Sequence, residues 1–197
     1  MVFANIEIID ETGQRIGSWK FKPYIFTEQL THKVIIPQPS AFWRRKVFTD
    51  VGFLRNDLHY AMDFEYWIRI GRRHRIYRFD RFIAQYRMSA LNKGNIQSKK
   101  WGPELIRILD ELYAEPQLSD EILKLKNKAY SGACWLGAAA CVAAYEMNSA
   151  RYWLVQAVWY RPIILASLDW WRIWVKTILG RRLYSVGRTL KKRLYRA

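Results

Sequence analysis

The run Ala61-Met62-Asp63-Phe64-Glu65-Tyr66-Trp67-Ile68-Arg69-Ile70-Gly71-Arg72 constrains this chain more than any other segment. Trp67 and Ile70 fall on one face of a helix and Arg69, Arg72 and Arg73 on another, so the run reads as a short amphipathic helix. Asp63 is expected as its N-cap and Glu65 in its first turn, where carboxylates meet unpaired N–H groups and the positive end of the helix dipole. Two readings of Asp63 stay open at this level. One is a structural cap; the other is a general base at a helix start that faces a cleft.

The residues before this helix carry strand and turn chemistry. Val2 to Asp10 is β-rich with partial alternation, Glu11-Thr12-Gly13-Gln14 reads as a turn, and Arg15 to Trp19 reads as the returning strand. Val34-Ile35-Ile36 predicts a short buried strand stopped by Pro37, and Gln38 to Arg45 enters a brief helix ending near Gly52. After the Asp63 helix, residues 75–79 and 82–87 predict two strand-like pieces.

These blocks follow a definite order: D-x-x-G at Asp10, Q-P-S-x-F-x-R-R at Gln38, V-G-F at Val51, M-D-F-E-Y-W-I-R at Met62 and A-x-Y-R at Ala84. Together they resemble the second half of family 2 glycosyltransferases with the GT-A fold, over roughly residues 1–95. The resemblance implies an α/β fold, α+β in this fragment. It would comprise a partial GT-A-like mixed sheet with flanking helices, followed by an α-helical bundle tail. It also implies the activity: transfer of a sugar from a nucleotide-sugar donor to a saccharide or lipid-linked acceptor, with inversion. In that family the acid of the D-x-E-x-W-x-R helix is the general base, which places the role on Asp63. Such a base gains strength if partly desolvated.

The chain also departs from the family. The D-x-D or D-D carboxylates that hold a divalent Mg or Mn ion in the complete family fold have no counterpart here, and no phosphate-binding G-x-x-x-x-G-K-[ST] or G-x-G-x-x-G loop replaces them. The expectation is therefore an acceptor-side half. Its donor-binding half would be missing or carried on another polypeptide, and this chain would bind no metal or cofactor alone. Met1 followed at once by a strand, with no leader, fits a chain that starts inside a domain. Where relatives often carry Y-R-x-H, this chain has Tyr86-Arg87-Met88-Ser89.

Further site candidates follow from chemistry and resemblance together. Gln38 is a candidate for sugar hydroxyls, with a turn residue before proline as the alternative. Arg87 is a candidate for neutralising the diphosphate. His59, just before the Asp63 helix, is a candidate for lining the acceptor cleft. Glu65 and Arg69 are candidates as well, although i,i+4 pairing gives them a structural role on the same helix. Trp43 and Trp67 are the right residue type to stack on a sugar face, with core packing the alternative for Trp67.

Cys134 and Cys141 lie two helical turns apart, too far for a disulfide within one helix, and core packing is expected for them. His32, His59 and His74 have no metal-ligand spacing. The net charge of +16 calls for an anionic partner. The basic residues match no recognised nucleic-acid motif, so specific nucleic-acid binding is not expected. From Arg172 to the end the chain has nine Lys or Arg and no acid, interleaved with Trp174, Ile178, Leu179, Leu183 and Tyr184 and preceded by Trp170 and Trp171. That pattern suits an anionic membrane surface; the alternative is a solvated helix packing its rings on a bundle.

Residues 99–180 predict an α-helical bundle, set between a GT-A-like half (1–98) and a basic amphipathic tail (181–197). A helix opens at Gly102-Pro103 and closes before Pro116. Ser119 caps a long helix toward Glu146, Asn148-Ser149 breaks it, another helix runs from Arg151 to Tyr160, and a last one spans about 163–178 up to Gly180. The uncharged stretch from Ala129 to Tyr145 reads as a closely packed helix and not a membrane span. A cytoplasmic chain, peripheral at the inner face of a membrane, is the expectation. A non-catalytic remnant that binds membrane or a subunit through its basic tail is the alternative to the enzyme.

Overall fold

The computed structural model describes residues 1–89, 92 and 100–179, and it is an α+β arrangement. β1 (Val2–Ile9) is the central strand of a three-stranded mixed sheet ordered β2-β1-β3. β2 (Arg15–Trp19) pairs with it antiparallel, Ile6 opposite Trp19 and Ile8 opposite Gly17. The turn between them is built by Asp10, whose carboxylate accepts the N–H of Thr12 and of Gln14 at 2.9 and 3.0 Å. β3 (Tyr77–Arg87) lies parallel to β1 on its other side, from Val2 opposite Tyr77 to Ile9 opposite Arg87. Strand β1 is covered on both faces, so Phe3, Ala4, Asn5 and Ile6 are all buried. Asn5 is satisfied there: it donates to Asp80 Oδ1 at 2.9 Å and accepts the Phe21 N–H at 3.0 Å.

Between β2 and β3 come α1 (Phe26–Leu30), a 3₁₀ turn (Gln38–Ser40), α2 (Lys46–Val51) and α3 (Met62–Arg73). The expected strand at Val34-Ile35-Ile36 does not form. Val34 and Ile36 are buried, but that segment finds no strand partner among the described residues, and β1 bridges instead to Phe42. Helix α2 ends as expected at Gly52, whose φ of 76° suits glycine. The two strand pieces after α3 are one strand, β3, whose register against β1 slips around Asn5 and skips residues between Phe79 and Ala84.

The second half is helical: α4 (Trp101–Tyr113), α5 (Asp120–Leu123), α6 (Lys126–Ala143), α7 (Met147–Tyr160), a 3₁₀ turn (Pro162–Ala166) and α8 (168–179). Ser119 caps α5 as expected, but the single long helix is interrupted at residues 124–125 and again at 144–146. The second break lies before Asn148-Ser149, which fall inside α7. It is a Schellman closure: the Glu146 N–H reaches Cys141 O at 2.9 Å, the Tyr145 N–H reaches Val142 O at 3.1 Å, and Tyr145 takes φ 64°. The last helix begins at residue 168, not 163, because Pro162 opens a 3₁₀ turn first. Gly180 and the tail 181–197, including Leu183 and Tyr184, lie outside the described residues.

Three cores hold these layers. Phe3, Ile36, Val47, Tyr66, Trp67, Ile70 and Ile76 form one beneath the sheet. Leu30, Leu58, Ala61 and Ile68 join Leu105, Leu109, Ala129 and Ala133 in a second, so one core spans both sides of residue 98. Ala138, Cys141, Leu154, Trp170 and Ile173 make the third, and both Cys141 and Cys134 are buried. Helix α3 contributes to the first two, which explains why Glu65 to Ile68 and Ile70 are all buried. α4 and α6 cross closely because Gly102 and Gly137 face each other: a Cβ on Gly137 would lie 3.1 Å from the Gly102 Cα, and one on Gly102 would lie 2.5 Å from the Trp153 ring of α7. Among the described residues no helix is long and apolar enough to cross a membrane.

Candidate functional site at the entry to helix α3

Asp63 is not the N-cap. That position belongs to Ala61, which has no capping side chain, and Asp63 sits one residue inside the helix. The N–H groups of the segment entering the helix are met from elsewhere, while inside it Asp63 itself takes the Phe64 N–H. Glu104, in the first turn of α4, accepts the N–H of His59 at 2.9 Å, of Tyr60 at 2.7 Å and of Ala61 at 2.9 Å. Burial raises the Glu104 pKa, but these three backbone donors outweigh it and hold the carboxyl below its ordinary value. A second clamp lies alongside, where Arg55 and Arg107 both bind Asp57 and Glu111. The segment leading into α3 is thus pinned to α4 at two points, and the position of Asp63 follows from that.

Asp63 itself is half-buried, and Oδ1 accepts the Phe64 N–H at 2.7 Å. Among the described residues no cation pairs with it. Burial pushes its pKa upward, partly offset by the backbone N–H of Phe64 and its own. On one side Phe64 stacks on His32 with ring centroids 4.5 Å apart. His32 is enclosed, and burial alone lowers its pKa to about 4, so it is neutral at physiological pH. A carboxylate with a raised pKa and no counter-cation has the electrostatics of a general base.

The other candidates separate. Glu65 and Arg69 form a two-pronged ion pair, Nε to Oε1 at 2.6 Å and Nη2 to Oε2 at 2.8 Å. Arg69 also donates to the Val51 and Phe53 carbonyls and lies over the Tyr66 ring at 4.9 Å, so the pair ties the 51–53 loop to α3. His59 is exposed at the same entry segment as Asp63. Gln38 is exposed at the start of its 3₁₀ turn, which Ser40 locks onto β1 by donating to Ala4 O at 2.7 Å. Arg87 donates to Asp10 O and Glu11 O at 3.0 and 2.9 Å, holding the hairpin turn. Trp67 is core, in edge contact with Trp43 at 5.4 Å, and neither ring is a free platform.

Three residues separate the end of α3 from Tyr77, which pairs beside Val2 at the start of the parallel pair, whereas Arg87 closes that pair opposite Ile9. The described cleft, about 420 Å³ and lined by Asp50, Val51, Arg69, Arg72, Arg73 and Glu115, lies at the far end of α3. Its charges are mutually engaged, with Arg72 gripping Glu115 through two bonds of 2.7 Å. It is a salt-bridged seam, about 13 Å along the helix from Asp63. Among the described residues no group of three or more His, Cys, Asp or Glu is placed to hold a metal.

Sequence reasoning missed Glu104, the residue on which the entry depends. Its only signal was an acid in the first turn of a predicted helix, which says nothing of a partner 43 residues away. No protein-family model, curated protein or solved structure matches the chain.

Proposed function

We propose that this chain supplies the acceptor side of a glycosyltransferase of the GT-A, family 2 kind, with Asp63 as general base. The observation that carries the reading is the state of that carboxyl: half-buried, raised in pKa by burial, and without a cation among the described residues. Structural acids in this chain look different, since Glu65, Asp57 and Glu111 are each locked to arginines. In the proposed step the Asp63 carboxylate takes the proton of an acceptor hydroxyl while that oxygen bonds to the anomeric carbon. The bond from that carbon to the nucleoside diphosphate breaks with its electron pair, and the centre inverts.

The nucleotide and its metal ion are held by residues outside these 197 positions, on the same or another polypeptide. The acceptor is a saccharide or lipid-linked saccharide. On this reading His59 lines the approach from the entry segment and Gln38, exposed at its own turn, contacts sugar hydroxyls, whereas Arg87 holds the hairpin turn and Glu65 and Arg69 fix the helix. The test is sugar transfer by this chain combined with a donor-binding polypeptide of the same family kind, sought nearby or in frame upstream. Asp63→Asn is expected to lower the rate about 10²- to 10⁴-fold with little change in acceptor affinity. A combination that carries Asp63→Asn and still transfers sugar at an unchanged rate overturns the reading.

A further inference from the structure

Helix α8 separates its apolar residues into two stripes. Trp170, Ile173 and Thr177 turn inward onto α7, where the Trp170 indole donates to Leu154 O at 3.3 Å. Leu168, Trp171, Val175 and Ile178 form the opposite stripe, and the 3₁₀ turn before it adds Ile163 and Leu165. Trp171 joins the two parts by donating to Leu165 O at 2.7 Å. Leu168 is 72% exposed, Ile163 66% and Ile178 63%, which marks an apolar strip facing out along the whole element. Of the two readings the sequence left open for these rings, packing on the bundle holds for Trp170, which is core, and Trp174 stacks on it at 5.2 Å.

Charge decides what covers the strip. Arg161, Arg172 and Lys176 flank it, Asp169 is the one acid between Met147 and the C-terminus, and the sequence after residue 179 adds seven Lys or Arg with no acid. A second copy of a chain carrying +16 would bring like charge to like. Phosphate of a nucleic acid has nothing to offer six exposed aliphatic and indole side chains. A bilayer with anionic headgroups satisfies both, taking the apolar stripe at the acyl boundary and the cations at its surface.

We propose that the Ile163–Ile178 strip is a docking surface for an anionic lipid bilayer, independent of the glycosyl-transfer reading. The experiment is co-sedimentation of the full chain with phosphatidylcholine vesicles containing about a third phosphatidylglycerol, with pure phosphatidylcholine vesicles as the comparison. Binding is expected to the anionic vesicles, to weaken as salt is raised, and to fall about tenfold or more in Trp171→Glu/Ile178→Glu. Ile35→Glu, at an exposed apolar residue elsewhere, is expected to bind like the wild type. Both double-variant positions are exposed, so thermal unfolding should stay cooperative, and Arg172→Gln/Lys176→Gln gives a second, milder loss. The proposal is overturned if the double variant binds as the wild type does, or if neutral vesicles bind equally well. It is also overturned if the wild type sediments as a dimer that the double variant converts to monomer, since the occupant is then a second copy.

Discussion

The carboxylate of Glu104 accepts the backbone N–H of Ala61 at 2.9 Å, closing the N-terminus of α3 from another helix. With Tyr60 at 2.7 Å and His59 at 2.9 Å, it meets three donors that no nearby side chain caps. The direction in which Asp63 is presented therefore depends on a residue of the helical half.

Removing that carboxylate is expected to cost more than an ordinary surface change. Glu104→Ala leaves three N–H groups without their acceptor and should destabilise the chain by about 2 kcal/mol at neutral pH. The native pKa is held down, so the contribution is complete above the ordinary glutamate value of 4.5 and is lost as pH falls through the lower native value. Urea unfolding of wild type and variant should show a gap at pH 7 that closes in acid; a pH-independent gap would mean the charge is not what matters.

How much of this was legible in the chain depends on range. The hairpin was, because Asp10, Thr12 and Gly13 encode their turn locally. The α3 face was as well, because Trp67 and Ile70 against Arg72 and Arg73 is a local period. The helix break at Tyr145 was not, since a Schellman closure usually announces itself by glycine, and here tyrosine holds the left-handed position. Val34 to Ile36 has strand composition without a strand neighbour among the described residues, and composition does not reveal the neighbour. Glu104 was invisible for the same reason. The Asp63 segment was found by its pattern, but Asp63 falls inside the helix, and the acid that holds the segment entering it lies 43 residues beyond Ala61.

The burial that raises the Asp63 pKa works against folding once the group ionises. Its cost appears as pH rises above the ordinary aspartate value of 3.8 and is complete above the raised native value. Asp63→Asn is therefore expected to raise the thermal midpoint by a few degrees at pH 7. The gain should shrink toward zero in acid, where wild-type Asp63 is protonated. A variant less stable than wild type at pH 7 would show that Asp63 holds the helix together and is not a strained functional acid.

The Glu65–Arg69 pair makes the opposite prediction. Glu65 is buried and, among the described residues, its carboxylate is satisfied through Arg69, which in turn holds the Val51 and Phe53 carbonyls. Glu65→Ala or Arg69→Ala should each cost about 2 kcal/mol, because either leaves a partly buried charge without its partner. In a double-mutant cycle the paired loss should be well below the sum of the two, by about 1 kcal/mol or more. Full additivity would mean that the residues act separately.

His32 supplies a pH dependence at the other edge of the site. The ring is enclosed against Phe64, and burial lowers its pKa from 6.5 to about 4. Between those values the unfolded chain takes up a proton that the folded chain refuses, so stability must fall as pH drops from 6.5 toward 4. The loss attributable to this group is on the order of 3 kcal/mol by the end of that range. His32→Asn keeps a residue suited to the φ of 58° and removes the titration. That variant should be less stable than wild type at pH 7, where the ring packs on Phe64, yet lose less as pH falls to 4. Parallel pH profiles for the two proteins would instead assign the acid sensitivity to the carboxylates, Glu104 first among them.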